Sequence, residues 1–157
     1  AGCLVVNYLT AHLHLHRFGR VRAGERVLVH GAAGGVGTAL LELGRRLAPL
    51  RDHGVLLIGS GFLTHGLPFL TDWSPGAAAP GWSADFDAWA ADALARGDVD
   101  ELARFRQAPG MPYAHPTVEH FTPIFVTLGA ATDPSAAPET TITGSFYGLS
   151  KRSLQVA

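Results

Sequence analysis

One cysteine, Cys3, is all the thiol chemistry in the 157-residue chain. That excludes a disulfide framework and a thiolate metal cluster, and it fits a reducing compartment. Long apolar runs are missing as well. None approaches the roughly 18 residues that a membrane span needs, and the N-terminus lacks the charged-then-apolar order of a secretory signal. The expectation is a cytoplasmic protein. An excess of one charge is absent too: 12 Lys and Arg face 13 Asp and Glu, for a formal net charge of −1. The basic residues are scattered rather than gathered in a stripe, so neither nucleic acid nor an anionic membrane is expected as a partner. No internal repeat is present, and no initiator Met. The opening AGCLVVNYLTAHLHLHRFGRV starts in mid-helix character, which leads to the expectation that something upstream is missing.

What is there is a globular composition, 47% hydrophobic and 16% charged. It amounts to one domain's worth of chain, or two incomplete pieces. Leu4, Val5, Tyr8, Leu9 and Leu13 fall at helical spacing and predict a helix over 3–17. A turn at Gly24 leads to a short apolar strand, Val27 to Val29, and then to a glycine loop. Leu40, Leu43, Leu47 and Leu50 form one side of a helix over about 37–50, closed by Asp52-His53-Gly54. Val55 to Ile58 reads as a strand of the fully buried, parallel kind.

Downstream, LTDWSPGAAAPGWS is a Gly/Pro/Ala-rich surface loop. Ser83 is expected to cap the helix ADFDAWAADALARG, with Asp85 in its first turn and Gly97 at its end. Val99 to Phe105 predicts another short helix. Pro123 cannot sit deep inside a helix, so Thr122 is placed at an N-cap and Pro123 at the first helical position. His120 then stands on the turn just before that helix. DPSAAPE is a loop, and TTITGSFYGLSKRSLQVA supplies one or two closing strands.

Ala32, Gly34, Gly35 and Gly37 lie in an A-x-G-x-x-G loop between a strand and a helix, the context in which a backbone turn approaches a dinucleotide pyrophosphate. With its flanks, NYLTAHLHLHR and VRAGERVLVHGAAGGVG, the segment resembles the quinone oxidoreductase branch of the medium-chain dehydrogenase/reductase family over residues 1 to about 40. That resemblance implies NADP(H) as cofactor. The next strand, however, ends in IGSGFLTHG with no acidic residue for a ribose, and Ser60 is a poor substitute. The preferred reading is a glycine turn that packs a helix onto a strand with nothing bound.

Eight histidines are many for this length. His12, His14 and His16 alternate with Leu; on the expected helix only His12 and His16 share a face, at a spacing a metal can bridge, but no third ligand lies nearby. His30 ends the first strand, and His53 is expected to face solvent on a turn. His65 lies just past the C-terminal end of a strand, the edge where open α/β sheets collect ligands, and His120 precedes a helix start. The two can converge on one crevice.

From about Leu41 to Ala157 the chain resembles the C-terminal half of the class III extradiol ring-cleavage dioxygenases, the 4,5-DOPA dioxygenase-like group. The segments that carry the likeness are LGRRLAPLRDHGVLLIGSGFLTHGL, FDAWAADAL, HPTVEHFTPIFVTLGAA and GSFYGLSKRSLQVA. The resemblance implies a metal site, Fe(II) or Zn(II), with His65 of the S-G-x-x-x-H turn as acid/base or ligand and His120 of E-H-F as a ligand. His115 is less fixed in the pattern and receives no role. Non-haem iron takes hard N/O ligands and leaves positions open, and an imidazole can accept a catechol proton near neutral pH. Two further metal-binding histidines of the family, in H-G-S-P and S-A-H-W segments, have no counterpart here.

The expected fold is therefore α/β, an incomplete open sheet with flanking helices built from two partial α/β pieces, 1–40 and 41–157, joined near GTALLELGRR. The strand Val27–Val29 is expected to pair beside Val55–Ile58 and give it partial cover. The expected function is that of an extradiol dioxygenase cleaving catechols such as DOPA, impaired or inactive for want of the N-terminal ligands. An NADP(H)-binding fragment and a non-catalytic fusion product are the alternatives, and a complementing or self-associating chain is the expected macromolecular partner.

Overall fold

The computed structural model describes residues 28–30, 37–133 and 136–157. The helix expected over 3–17 lies outside them. Strand β1 is Leu28–His30, one residue later than the apolar run suggests. Helix α1, Gly37–Leu47, carries the leucine-rich stretch. It stops short of Leu50 because Pro49 has no N–H to give and its ring opposes the carbonyl four residues back. The chain tightens instead into a 3-10 turn, Ala48–His53, closed by Gly54 at φ 73°, whose N–H bonds the Arg51 carbonyl at 2.9 Å.

Strand β2 is Ile58–Ser60, later than the expected Val55–Ile58. It pairs in parallel with β1, Leu28 opposite Ile58 and His30 opposite Ser60, so the expected pairing of the two segments is present. The expectation of a fully buried strand is corrected. Val55 is buried, but Leu56 and Ile58 are 57% and 51% exposed, because among the described residues β1 is the only strand beside β2.

The core is built mainly by helices and the turns between them. Helix α2, Gly81–Ala95, turns Phe86, Ala90, Ala93 and Leu94 inward, positions that share one helical face. Ser83 is not the cap expected of it. The helix begins two residues earlier behind Pro80, and Ser83 is buried within its first turns, its Oγ 2.8 Å from Thr64 Oγ1. Asp85 accordingly falls beyond the first turn, while Gly97, at φ 65°, follows the end as expected. Helix α3, Val99–Ala103, is capped by the Asp98 side chain, which accepts from the Glu101 N–H at 2.9 Å. Helix α4, Pro123–Gly129, starts where proline dictates, with Thr122 before it. Thr122 makes no side-chain cap; its hydroxyl donates back to the Glu119 carbonyl at 3.3 Å.

Phe121, just ahead of α4, is the centre of an aromatic cluster, with ring centroids 5.3 Å from Phe86, 5.0 Å from Phe105 and 5.5 Å from Phe125. The edge-to-face settings at Phe86 and Phe125 are those that ring quadrupoles favour.

The C-terminal segment forms β3 (Glu139–Ile142), β4 (Ser145–Phe146), β5 (Leu149–Ser150) and β6 (Ser153–Gln155). Strands β3 and β6 pair antiparallel, with an irregularity between Thr140 and Ile142. Strands β4 and β5 form a tight hairpin whose two central residues, Tyr147 and Gly148, both have positive φ, the geometry that matches strand twist in two-residue turns. The arrangement is α/β with open sheets, as the alternation of elements implies. No described helix is long and apolar enough to cross a membrane.

A buried polar chain ties this C-terminal segment to the centre. The Ser150 N–H donates to Thr64 Oγ1 at 2.7 Å, the Ser150 hydroxyl to Asp87 at 2.5 Å, and Arg152 makes a two-pronged pair with the same Asp87. Burial alone would raise the Asp87 carboxyl; the bonds and charge from Arg152, with the Ser150 bond, more than offset it and hold it below its ordinary value.

Helix α1 lies directly on α4, and Gly44 is the point of closest approach: a Cβ there would overlap the Val126 carbonyl and the Ala130 amide. Gly44→Ala is expected to cost about 1–3 kcal/mol by overpacking, read as a lowered urea midpoint. Gly54→Ala meets nothing in space and should cost only the left-handed backbone penalty, about 1–2 kcal/mol.

Candidate functional site

Strand β2 ends at Ser60, and the turn from Gly61 to His65 leads away from its C-terminal edge. Two backbone bonds clamp that turn to the segment before α4: Phe62 N–H to the His120 carbonyl at 3.0 Å and His65 N–H to the Ala114 carbonyl at 2.7 Å. The approach needs glycine at position 61, where a Cβ would overlap the His120 carbonyl oxygen. The clamp brings the two imidazoles singled out in the sequence together. The rings of His65 and His120 stack with centroids 3.5 Å apart and planes 27° from parallel.

Two imidazolium charges at that separation would repel strongly in a partly desolvated site. Burial, and next the neighbouring His120, hold His65 below the ordinary histidine value, with Glu119 opposing. Neutral at physiological pH, His65 is set to accept a proton. Glu119 Oε1 lies 3.9 Å from His120 Nε2. The Thr117 hydroxyl donates to the same carboxylate at 2.6 Å, and this bond comes first in holding Glu119 below its ordinary value.

His115, which the sequence reading left without a role, is the support beneath the pair. It is 2% exposed, and its Nε2 is 2.7 Å from the Leu63 carbonyl. A carbonyl only accepts, so Nε2 carries the proton and Nδ1 the lone pair; among the described residues Nδ1 has no partner. The ring is wedged between Phe86 and Phe121 at 5.0 and 5.2 Å. Burial pushes its pKa down to about 4, against the smaller opposing effect of the Leu63 bond. The signal available for His115 was its place on the proline-flanked stretch that also delivers His120, since no periodicity marks it.

The remaining site expectations fall elsewhere. Ala32, Gly34 and Gly35 of the glycine loop, and His12, His14 and His16, lie outside the described residues, while Gly37 is the first residue of α1. His30 ends β1, opposite Ser60. His53 is exposed on its turn, as expected.

A groove of about 760 Å³ is lined by His120, by residues of β2, β3 and β6, and by Pro123, Ile124 and Thr127. His120 is on its wall; His65 is not among the residues lining it. As a metal site the arrangement is incomplete. Non-haem centres take a facial set of three protein donors, and the described residues contain no group of three or more His, Cys, Asp or Glu able to hold an ion. The two imidazoles do not by themselves fit a resident metal.

Because His115 is neutral when folded and titrates near its ordinary value when unfolded, the unfolded chain binds more protons below pH 6.5. Its contribution to stability is complete above about pH 6.5 and is lost as pH falls toward about 4. At about 1.4 kcal/mol per pH unit, the loss is on the order of 3 kcal/mol. Denaturant unfolding at pH 7, 6 and 5 should show this slope, and His115→Phe should flatten most of it.

Comparison with known proteins finds both likenesses read in the sequence. Residues 26–152 match the family described as the catalytic LigB subunit of aromatic ring-opening dioxygenase. The 4,5-DOPA dioxygenase extradiol of Beta vulgaris is 45% identical over 105 residues, 64% of this chain and 37% of that protein. The Escherichia coli K12 protein of the same name is 33% identical over 92 residues, 57% of this chain and 34% of that one. The N-terminal part is 58% identical over 45 residues to the synaptic vesicle membrane protein VAT-1 homolog of Rattus norvegicus, 29% of this chain and 11% of that protein. Among solved structures, an uncharacterized protein from Escherichia coli K12 superposes with a TM-score of 0.66 at 30% identity, covering 77% of this chain and 50% of that chain. The chain thus spans about a third of the length of the curated dioxygenases it matches. With a family match over most of its own length, it belongs to the family of the catalytic LigB subunit of aromatic ring-opening dioxygenases.

Proposed function

We propose that the chain carries half of an extradiol ring-opening centre for a catechol such as DOPA, with His65 as the acid/base and His120 as a metal donor. The observation that carries this reading is the stacked imidazole pair, delivered by the turn after β2 and the turn before α4. The family's ring-opening dioxygenases depend on a non-haem metal; the ion assigned here is Fe(II) or Zn(II), both of which take imidazole nitrogen.

The division of labour follows from the surroundings of each ring. His65 is partly buried, beside the core, and its lowered pKa leaves its lone pair free near neutrality to take a catechol proton. His120 opens on the groove, where a ligand can reach it. His115 holds the Leu63 carbonyl and so the geometry of the His65 turn; it positions and does not react. The described residues contain no group of three or more His, Cys, Asp or Glu able to hold an ion; on this reading the chain is impaired and its remaining donors come from a complementing chain.

Two measurements test this. The purified chain, given L-DOPA in air with one equivalent of Fe(II), should form no yellow ring-opened product above background; sustained multiple turnovers would show that the centre is complete. Calorimetric titration with Zn(II) should give a Kd above about 1 μM, worth less than about 8 kcal/mol, and His120→Ala should remove the binding while Phe69→Ala leaves it unchanged. Equal Zn(II) affinity in His120→Ala would exclude His120 as a donor.

A further inference from the structure

The groove that His120 shares is far larger than one imidazole needs, and its charged walls have a single sign. At about 760 Å³ it falls within the size range of small-molecule sites. Arg51, Arg152 and His120 line it, and no Asp or Glu does. Much of the remaining lining is apolar, with Val55, Leu56, Ile58, Ile124, Leu154 and Val156 contributing. Leu56 and Ile58 are 57% and 51% exposed, so this apolar surface is open to water. Pro123 and Ala130 also line the groove. They stand at the two ends of α4, whose 7 residues rise roughly 10 Å, so the groove reaches at least that far.

The two guanidinium groups differ in how their charge is met. Arg152 is paired with both carboxylate oxygens of Asp87, which offsets its charge. Arg51 is held by backbone alone: Nη1 donates to the Ala130 carbonyl at 3.0 Å and Nη2 to the Val156 carbonyl at 3.4 Å. Among the described residues no carboxylate forms an ion pair with it. The Ala130 carbonyl, just past the end of α4, brings only the partial charge of a helix C-terminus. A guanidinium has five N–H donors, and the two backbone bonds leave three of them unused. Arg51 is thus a half-buried, permanent cation on the wall of an apolar groove.

We propose that the groove binds a free aliphatic monocarboxylate, its carboxylate on the unused N–H groups of Arg51 and its tail laid over the apolar lining toward Pro123. The ligand's chemistry follows from what the walls offer. One uncompensated guanidinium calls for one negative charge, and its planar fork matches a carboxylate. The apolar lining calls for a hydrocarbon tail about as long as α4, and decanoate is close to that length. A ligand ammonium group would find no carboxylate on these walls to meet it. The site requires neither a metal nor a second chain, so it stands apart from the ring-opening reading.

Isothermal titration of the full chain with decanoate, kept below its micelle concentration, tests this. The expected result is one-to-one binding with a Kd below about 100 μM, with decanol and acetate each at least about tenfold weaker. Hydrogen exchange should slow at residues 55–58 and 154–156 in the complex. Arg51→Gln should weaken decanoate at least about tenfold and leave decanol unchanged. Because Arg51 also holds two backbone carbonyls, a second pair of variants is placed at an exposed position where substitution costs the fold little. Leu56→Asp and Leu56→Asn remove the same apolar contact, and only the first adds a negative charge. Leu56→Asp should therefore bind decanoate roughly threefold more weakly than Leu56→Asn, the size of an exposed charge interaction, while decanol binds both equally. The proposal is overturned if decanoate fails to bind at about 1 mM or if decanol binds as tightly. It is equally overturned if Leu56→Asp and Leu56→Asn do not differ, or if a folded Arg51→Gln keeps full affinity.

Discussion

Three hydrogen bonds between residues 62–65 and 114–120 hold the site together. Phe62 and His65 give backbone N–H groups to His120 and Ala114, and His115 gives its Nε2 proton to Leu63. The partners are roughly fifty residues apart in sequence, so neither turn has the right shape alone. Where one segment goes, the other must follow, and the imidazoles meet face to face as a result. Gly61 permits the contact by having no side chain. The chemistry attributed to His65 therefore depends on a tertiary contact, and the neighbouring core makes that contact rigid.

That core is built so that apolar and polar demands coincide at the same residues. Phe121 anchors the aromatic cluster and is the next residue after His120, so packing its ring fixes where His120 stands. Thr64 is the residue before His65, fully buried, and its hydroxyl is engaged by both Ser83 and Ser150. A buried hydroxyl without partners is costly; satisfied from two directions, it defines one backbone position for the turn. Both catalytic candidates thus inherit their placement from an immediate neighbour that is buried and fully engaged.

Much of this was legible in the residues. Placing His65 past a strand end needed only the apolar run before it, and placing His120 ahead of a helix needed only Pro123. What was not legible has a common physical cause: it depends on partners distant in sequence. Ser83 carries the local signature of a cap, yet its hydroxyl is drawn to Thr64 and the helix starts at Gly81. Val55 to Ile58 reads as a doubly covered strand because its composition is that of one, while the described residues provide only β1 at its side. His115 sits in a proline-flanked stretch without periodicity, so nothing local distinguishes a buried prop from a surface turn. Its burial follows from Phe86, which reaches it across the fold, and from Phe121 further along its own segment.

The buried polar chain has a consequence in time. The Ser150 amide and hydroxyl, far along the sequence from both partners, complete the bonding of Thr64 and Asp87, while Arg152 closes the chain on the same carboxylate. In synthesis these residues follow both imidazoles, so the turn bearing His65 gains this part of its support only after the two rings themselves have been made.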